Sequence, residues 1–75
     1  MITVNTGDSF ELLCVLLTRG AVLALGDFTA GRYHTALGEV TFAVCDLRGR
    51  RVDCGDAYNA AQALQAAFAG CLCFD

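Results

Sequence analysis

The sequence predicts an α+β domain: a small antiparallel sheet of three to four strands with two helices packed on one face. Three observations carry this. Residues 9–18 and 57–69 have helical apolar spacing with capping residues before them and a glycine after them. Residues 39–47 alternate apolar side chains with a period of two, then reach a glycine turn and a return strand. The chain has 75 residues, enough for a single domain spanning 1–75 with a thin core.

Each element has its own warrant. Residues 1–5 alternate and read as a short strand that stops at Thr6-Gly7. Asp8 then caps the first helix, and Glu11 reaches back three residues on, as in a capping box. Both acids suit the positive end of the helix dipole. Arg19 suits the negative end, and Gly20 supplies the left-handed stop. Phe10, Leu13, Cys14 and Leu17 line one face of this helix, yet Leu12, Val15 and Leu16 occupy the others. A helix apolar all round is buried all round, and one sheet covers only one side. Leu12, Val15 and Leu16 are therefore expected at an interface between subunits. Burying each is worth about 1.5–3 kcal/mol.

Residues 21–25 read as a buried strand, which Asp27, Phe28 and Thr29 extend past a bulge at Gly26. Residues 29–38 read as a loop carrying Arg32, Tyr33 and His34. In the strand 39–47, Val40, Phe42 and Val44 share one face and Thr41, Ala43 and Cys45 the other. Arg48-Gly49 turns the chain into a strand over 50–54, with Phe42 opposite Val52. Asp56 caps the second helix and Gly70 ends it. Its apolar stripe is Ala57, Ala60, Ala61, Leu64, Ala67, Phe68 and Cys71, with Asn59, Gln62 and Gln65 outside. Residues 71–75 form an apolar tail, either a last edge strand or an arm reaching another subunit.

Composition narrows the function. The chain is 56% hydrophobic and 17% charged, which excludes disorder. It also carries more apolar side chain than so small a core readily hides. Net charge is −3, and every basic residue is arginine. That disfavours nonspecific nucleic-acid binding, which depends on neutralising phosphates. The apolar stretch 10–25 is interrupted by Glu11 and Arg19-Gly20, short of the roughly 20 residues that span a bilayer. With no signal-peptide pattern, the expected location is the cytoplasm.

No constellation points to catalysis. His34 is the only histidine, and no nucleophile signature surrounds any cysteine. No glycine-rich phosphate loop is present, so no cofactor is expected. Five cysteines cannot all pair within one chain. Cys14 and Cys45 read as small hydrophobes inside apolar elements. Cys71 and Cys73 are placed for a disulfide between subunits. Together with Cys54 and His34 they offer a four-ligand metal set, but without ordered zinc spacing. Arg32, Tyr33 and His34, with Asp27, make a candidate contact patch, since Tyr and Arg dominate binding hot spots. Asp46 and Asp53 add acids near Arg48, Arg50 and Arg51, a pattern for cross-strand ion pairs. The stretch 48–51 is itself a local basic tip.

In its size, low charge count, helix from Asp8 to Gly20, hairpin over 39–54 and helix over 57–69, the chain resembles phage and mobile-element anti-CRISPR proteins that act on type I effector complexes. The resemblance implies a non-enzymatic inhibitor that binds the effector and blocks target DNA recognition, acting as a homodimer in the bacterial cytoplasm. Its partner-binding candidates are Asp27, Arg32, Tyr33, His34, Asp46 and Asp53. Its dimer candidates are Leu12, Val15, Leu16, Cys71 and Cys73. Eight dispersed acids do not form the dense stripe of a DNA mimic, so steric blocking through specific contacts is expected. Two other readings remain open: a self-associating phage structural or accessory protein, and a thiol or metal-binding module.

Overall fold

The computed structural model describes residues 1–74, so Asp75 of the tail lies outside the described residues. The elements are β1 (Ile2–Thr3), α1 (Phe10–Thr18), β2 (Leu23–Leu25), β3 (Phe28–His34), β4 (Val40–Cys45), β5 (Arg51–Asp53) and α2 (Ala57–Phe68). The α+β class holds, but the sheet has five strands in the order β1-β2-β3-β4-β5. It is mixed rather than antiparallel. β1 pairs parallel with β2, and the other three pairings are antiparallel. A parallel pair needs a crossover connection, and α1 supplies it.

The additional strand is β3, in the stretch that reads as a loop. Gly26-Asp27 is a hairpin turn rather than a bulge, because Leu25 pairs directly with Phe28. Gly26 has φ +60° while Asp27 keeps a negative φ, the signature of a type II′ turn. The other two hairpins share a different design. Each has a three-residue loop ending in a left-handed glycine, Gly38 at φ +84° and Gly49 at φ +81°. In each, one side-chain oxygen accepts two loop amides. Thr35 Oγ1 takes Leu37 and Glu39 at 3.3 and 3.2 Å. Asp46 Oδ1 takes Arg48 and Arg50 at 3.0 and 2.9 Å. The three-residue loop sets the register: Val44 faces Val52, and Phe42 lies beside Cys54 instead of Val52.

Both helices end as the sequence indicates. Gly20 and Gly70 follow the last turns, and paired amide bonds from Gly20 and Ala21, and from Gly70 and Cys71, close Schellman motifs. Asp56 caps α2 by accepting from Asn59 N–H at 2.7 Å. The cap of α1 is displaced by one residue. Ser9 accepts from Leu12 N–H at 3.2 Å, while Asp8 turns back to take Asn5 N–H at 2.8 Å and closes the β1–α1 loop.

The core lies between one sheet face and the two helices. Leu23, Ala30 and Val44 stand opposite one another across β2, β3 and β4. Leu13 and Leu17 of α1 and Ala60, Ala61, Leu64 and Ala67 of α2 cover them, with Val4 and Leu25 at the side. The tail is no strand. Its Leu72 and Phe74 pack against this same core, and Phe74 stacks on Phe28 at 5.7 Å.

Gly26→Ala is expected to lower stability by about 1–2 kcal/mol, since L residues disfavour its φ and the new Cβ lies 2.8 Å from Phe68 Cε1. Gly7→Ala, at an open position with ordinary φ, is expected to be neutral or slightly stabilising. Thermal unfolding of both variants checks the pair.

Candidate functional site

Strand alternation divides the sequence-predicted contact patch. Tyr33 pairs with Thr41, and Arg32 with Phe42, so the two neighbours point to opposite faces. The face without helices carries Thr29, Gly31 and Tyr33 of β3, Thr41, Ala43 and Cys45 of β4, and Arg51 and Asp53 of β5. Of the six candidates, only Tyr33 and Asp53 share this open face. Arg32 and His34 lie on the helix side, and Asp27 and Asp46 sit in turns at the far end of the sheet. The six do not form one surface.

The open face has a built centre. The Tyr33 hydroxyl lies beside Cys45 and Thr29, so the ring runs back along β3 past Gly31. Burial, then Cys45, pushes the phenol above its ordinary pKa. The Arg51 guanidinium stands 5.5 Å from the Tyr33 ring centre and pairs with Asp53 at 2.7 Å. Around this stack the face is smooth, with Gly31, Thr41 and Ala43 all buried and Val22 against Gly31. The sequence marked Arg51 only as part of a basic tip and a candidate ion pair, not as a neighbour of Tyr33, and did not mark Val22. The signal that would have placed β3, and with it this face, is Gly26-Asp27 as a hairpin turn, where the sequence alone suggests a bulge.

Arg32 serves the fold. Its guanidinium donates to the Thr18 carbonyl at 3.3 Å, at the end of α1, and lies 5.5 Å from the Phe42 ring centre. It thus satisfies a free carbonyl at the negative end of the helix dipole. Asp46 also has a structural task. It pairs with Arg50 at 2.8 Å and holds the β4–β5 loop. Withdrawal from water pulls its carboxyl upward, but the Arg50 guanidinium and the Arg50 and Arg48 amides outweigh this and hold it below the usual value.

The dimer candidates also separate. Leu12 and Val15 are 43% and 46% exposed on the outside of α1, whereas Leu16 packs partly against the core. Cys71 and Cys73 are exposed because they alternate with the inward Leu72 and Phe74. They lie on the tail that ends at Phe28 and Arg50, not on the outer side of α1. Two further leucines sit at the tips of the rigid loops, Leu37 at 86% and Leu47 at 79% exposure.

The four-residue metal set does not assemble. The tail lies beside Phe28, which opens β3, and His34 closes it six residues later, about 20 Å away in extended chain. Among the described residues, no three His, Cys, Asp or Glu side chains converge as a metal site. Burial, then the charges of Glu11 and Asp56, raises the Cys14 thiol. Burial, then Asp53, raises Cys54. Both are weak nucleophiles near neutral pH. A shallow cavity of about 230 Å³ lies between Thr6, Leu25, Gln65, Phe68 and Ala69, and none of these is an acid, base or thiol. Among the described residues, no helix is long and apolar enough to cross a membrane.

No family model matches the chain, and neither does any curated protein or solved structure.

Three measurements follow from this geometry. Alkylation of the folded protein, followed by peptide mass spectrometry, is expected to label Cys71 and Cys73 before Cys14 and Cys54. Arg32→Ala is expected to cost about 1 kcal/mol in thermal unfolding through the lost carbonyl partner and ring contact. For Asp46 the folded pKa lies below the unfolded one, so its bonds contribute above the unfolded value and are lost as pH falls through the folded value. An NMR titration should therefore place the Asp46 carboxyl midpoint below 3.8, with the Arg48 and Arg50 amides shifting together with it.

Proposed function

We propose that this chain acts without catalysis, by binding another protein, and that it is a homodimeric inhibitor of a type I CRISPR effector complex. The observation that supports a binding role is the open sheet face. One whole side of a five-stranded sheet is bare of helices, and it presents Tyr33, Arg51 and Asp53 on a smooth floor of small residues. An aromatic ring beside an arginine is the composition of an interface hot spot. The rigid surroundings reduce the entropy that a partner must remove on docking.

The choice of target rests on the resemblance of the whole chain to anti-CRISPR proteins. Asp27 and Glu39 are exposed carboxylates at the margins of the sheet, suited to arginine and lysine side chains that otherwise hold DNA phosphates. Blocking is then steric, with a small rigid body seated where the duplex must enter.

The test uses purified full-length chain and purified type I effector complexes. Co-elution in size-exclusion chromatography and weaker target-DNA binding are expected. Tyr33→Ala should reduce effector binding about tenfold or more while leaving the fold intact by circular dichroism. Absence of binding to every effector complex tried, at micromolar concentration, overturns the target assignment.

A further inference from the structure

We propose that the tail is a binding site for one soft monovalent metal ion, Cu(I), held between the thiolates of Cys71 and Cys73. The site goes beyond the protein-binding role and does not depend on it. It lies on the helix side of the sheet, away from the Tyr33 face.

The segment that carries the two thiols is fixed along its length. The Cys71 N–H donates to the Ala66 carbonyl at 2.8 Å and ties the tail to the end of α2. Leu72 and Phe74 pack on the core, and the Phe74 ring stacks on Phe28 at 5.7 Å. Alternate side chains of an extended segment share a side. With Leu72 and Phe74 turned inward, Cys71 and Cys73 stand exposed together on the outer side, and both are free thiols. The Cys71 thiol has only a long contact with the Ala69 carbonyl, at 3.8 Å.

Spacing separates a metal ion from a disulfide as the link between them. Two residues of extended chain cover about 6.6 Å. A disulfide brings its Cα atoms to about 5.5–6 Å and its sulfurs to about 2 Å, so the segment must contract around the packed Leu72. Two metal–thiolate bonds of about 2.3 Å each leave the sulfurs about 4–5 Å apart, which asks for much less contraction.

The ligand set then selects the metal. Structural zinc takes four ligands. Among the described residues, no three His, Cys, Asp or Glu side chains converge, so this pair acts alone. Thiolates are soft ligands that favour Cu(I), an ion that accepts linear coordination by two sulfurs. Each thiol releases its proton to water as its sulfur binds, and no electron changes hands.

Cu(I) titrated anaerobically into the purified, reduced chain, with bicinchoninate as competing ligand, measures the site. Native mass spectrometry should find one Cu(I) per chain. Cys71→Ser and Cys73→Ser should each weaken binding about a hundredfold or more, because the second thiolate no longer comes from the same tail. Both positions are exposed, so circular dichroism should match the wild type. Cys14 lies by the start of α2, whereas the tail follows its end, so Cys14→Ala should bind Cu(I) as the wild type does. If that variant misfolds, the two serine variants decide alone. Zn(II) should bind about a hundredfold more weakly than Cu(I), for want of further ligands. One copper shared between two chains overturns the proposal. So does either serine variant that binds like the wild type, a folded Cys14→Ala that loses the site, or zinc held as tightly as Cu(I).

Discussion

The seating of α2 on the sheet is the contact on which the rest of this fold depends. Ala60, Ala61 and Ala67 are buried against a floor that itself includes Ala30, so helix and sheet approach closely. Leu64, Leu23 and Val44 fill the spaces between them, giving the alternation of small and large side chains that a dense core needs. A helix held this low reaches Gly26 with its last residue, and the hydrogen in place of a side chain there leaves room for the Phe68 ring. It also delivers the tail to the end of the sheet, where Leu72 and Phe74 close the core. Only one face of the sheet is served by this arrangement. The other is left to Tyr33 and its neighbours.

The parts of the fold legible in the sequence are those governed by local physics. Gly20 and Gly70 stop their helices because only glycine takes a left-handed backbone at little cost, and Asp56 caps α2 because its carboxylate reaches a free amide. The hairpin from β4 to β5 was legible for the same reason. β3 was not. Its central Gly31, and the charged Arg32 on the core side, break the alternation that marks a strand. Both exceptions have tertiary causes. Gly31 is small because Val22 lies against it, and Arg32 points to the helix side because the end of α1 needs a donor. Asp8 as the helix cap failed by one residue because the β1–α1 loop uses its carboxylate.

The candidate site was less legible than the fold, and for a related reason. Sequence proximity grouped Arg32, Tyr33 and His34, but a strand separates neighbours onto opposite faces. Tyr33 instead finds its partners in residues 45 and 51, which no local pattern connects to it. Asp46 and its arginine were correctly read as neighbours, yet their interaction holds a loop. The exposed leucines at the loop tips follow from the same economy: a side-chain oxygen and a left-handed glycine fix each turn, so the apolar residue between them is free to face outward.

The apolar surplus that marks this composition is thus unevenly spent. The tail uses its share internally, through Leu72 and Phe74. α1 does not, because a helix on the outer margin of a two-layer domain has neighbours on only part of its circumference. Leu13 and Leu17 face the sheet, Phe10 turns toward α2, and Leu12 and Val15 remain. Exposed apolar side chains at these two positions, on one flank of a helix, favour association with another surface. The β5 margin shows that the chain has the means to guard an edge, with arginine and aspartate in the two outward positions. The two margins are thus protected by different means: charge on β5, and on β1 a strand only two residues long, too short to template a partner strand.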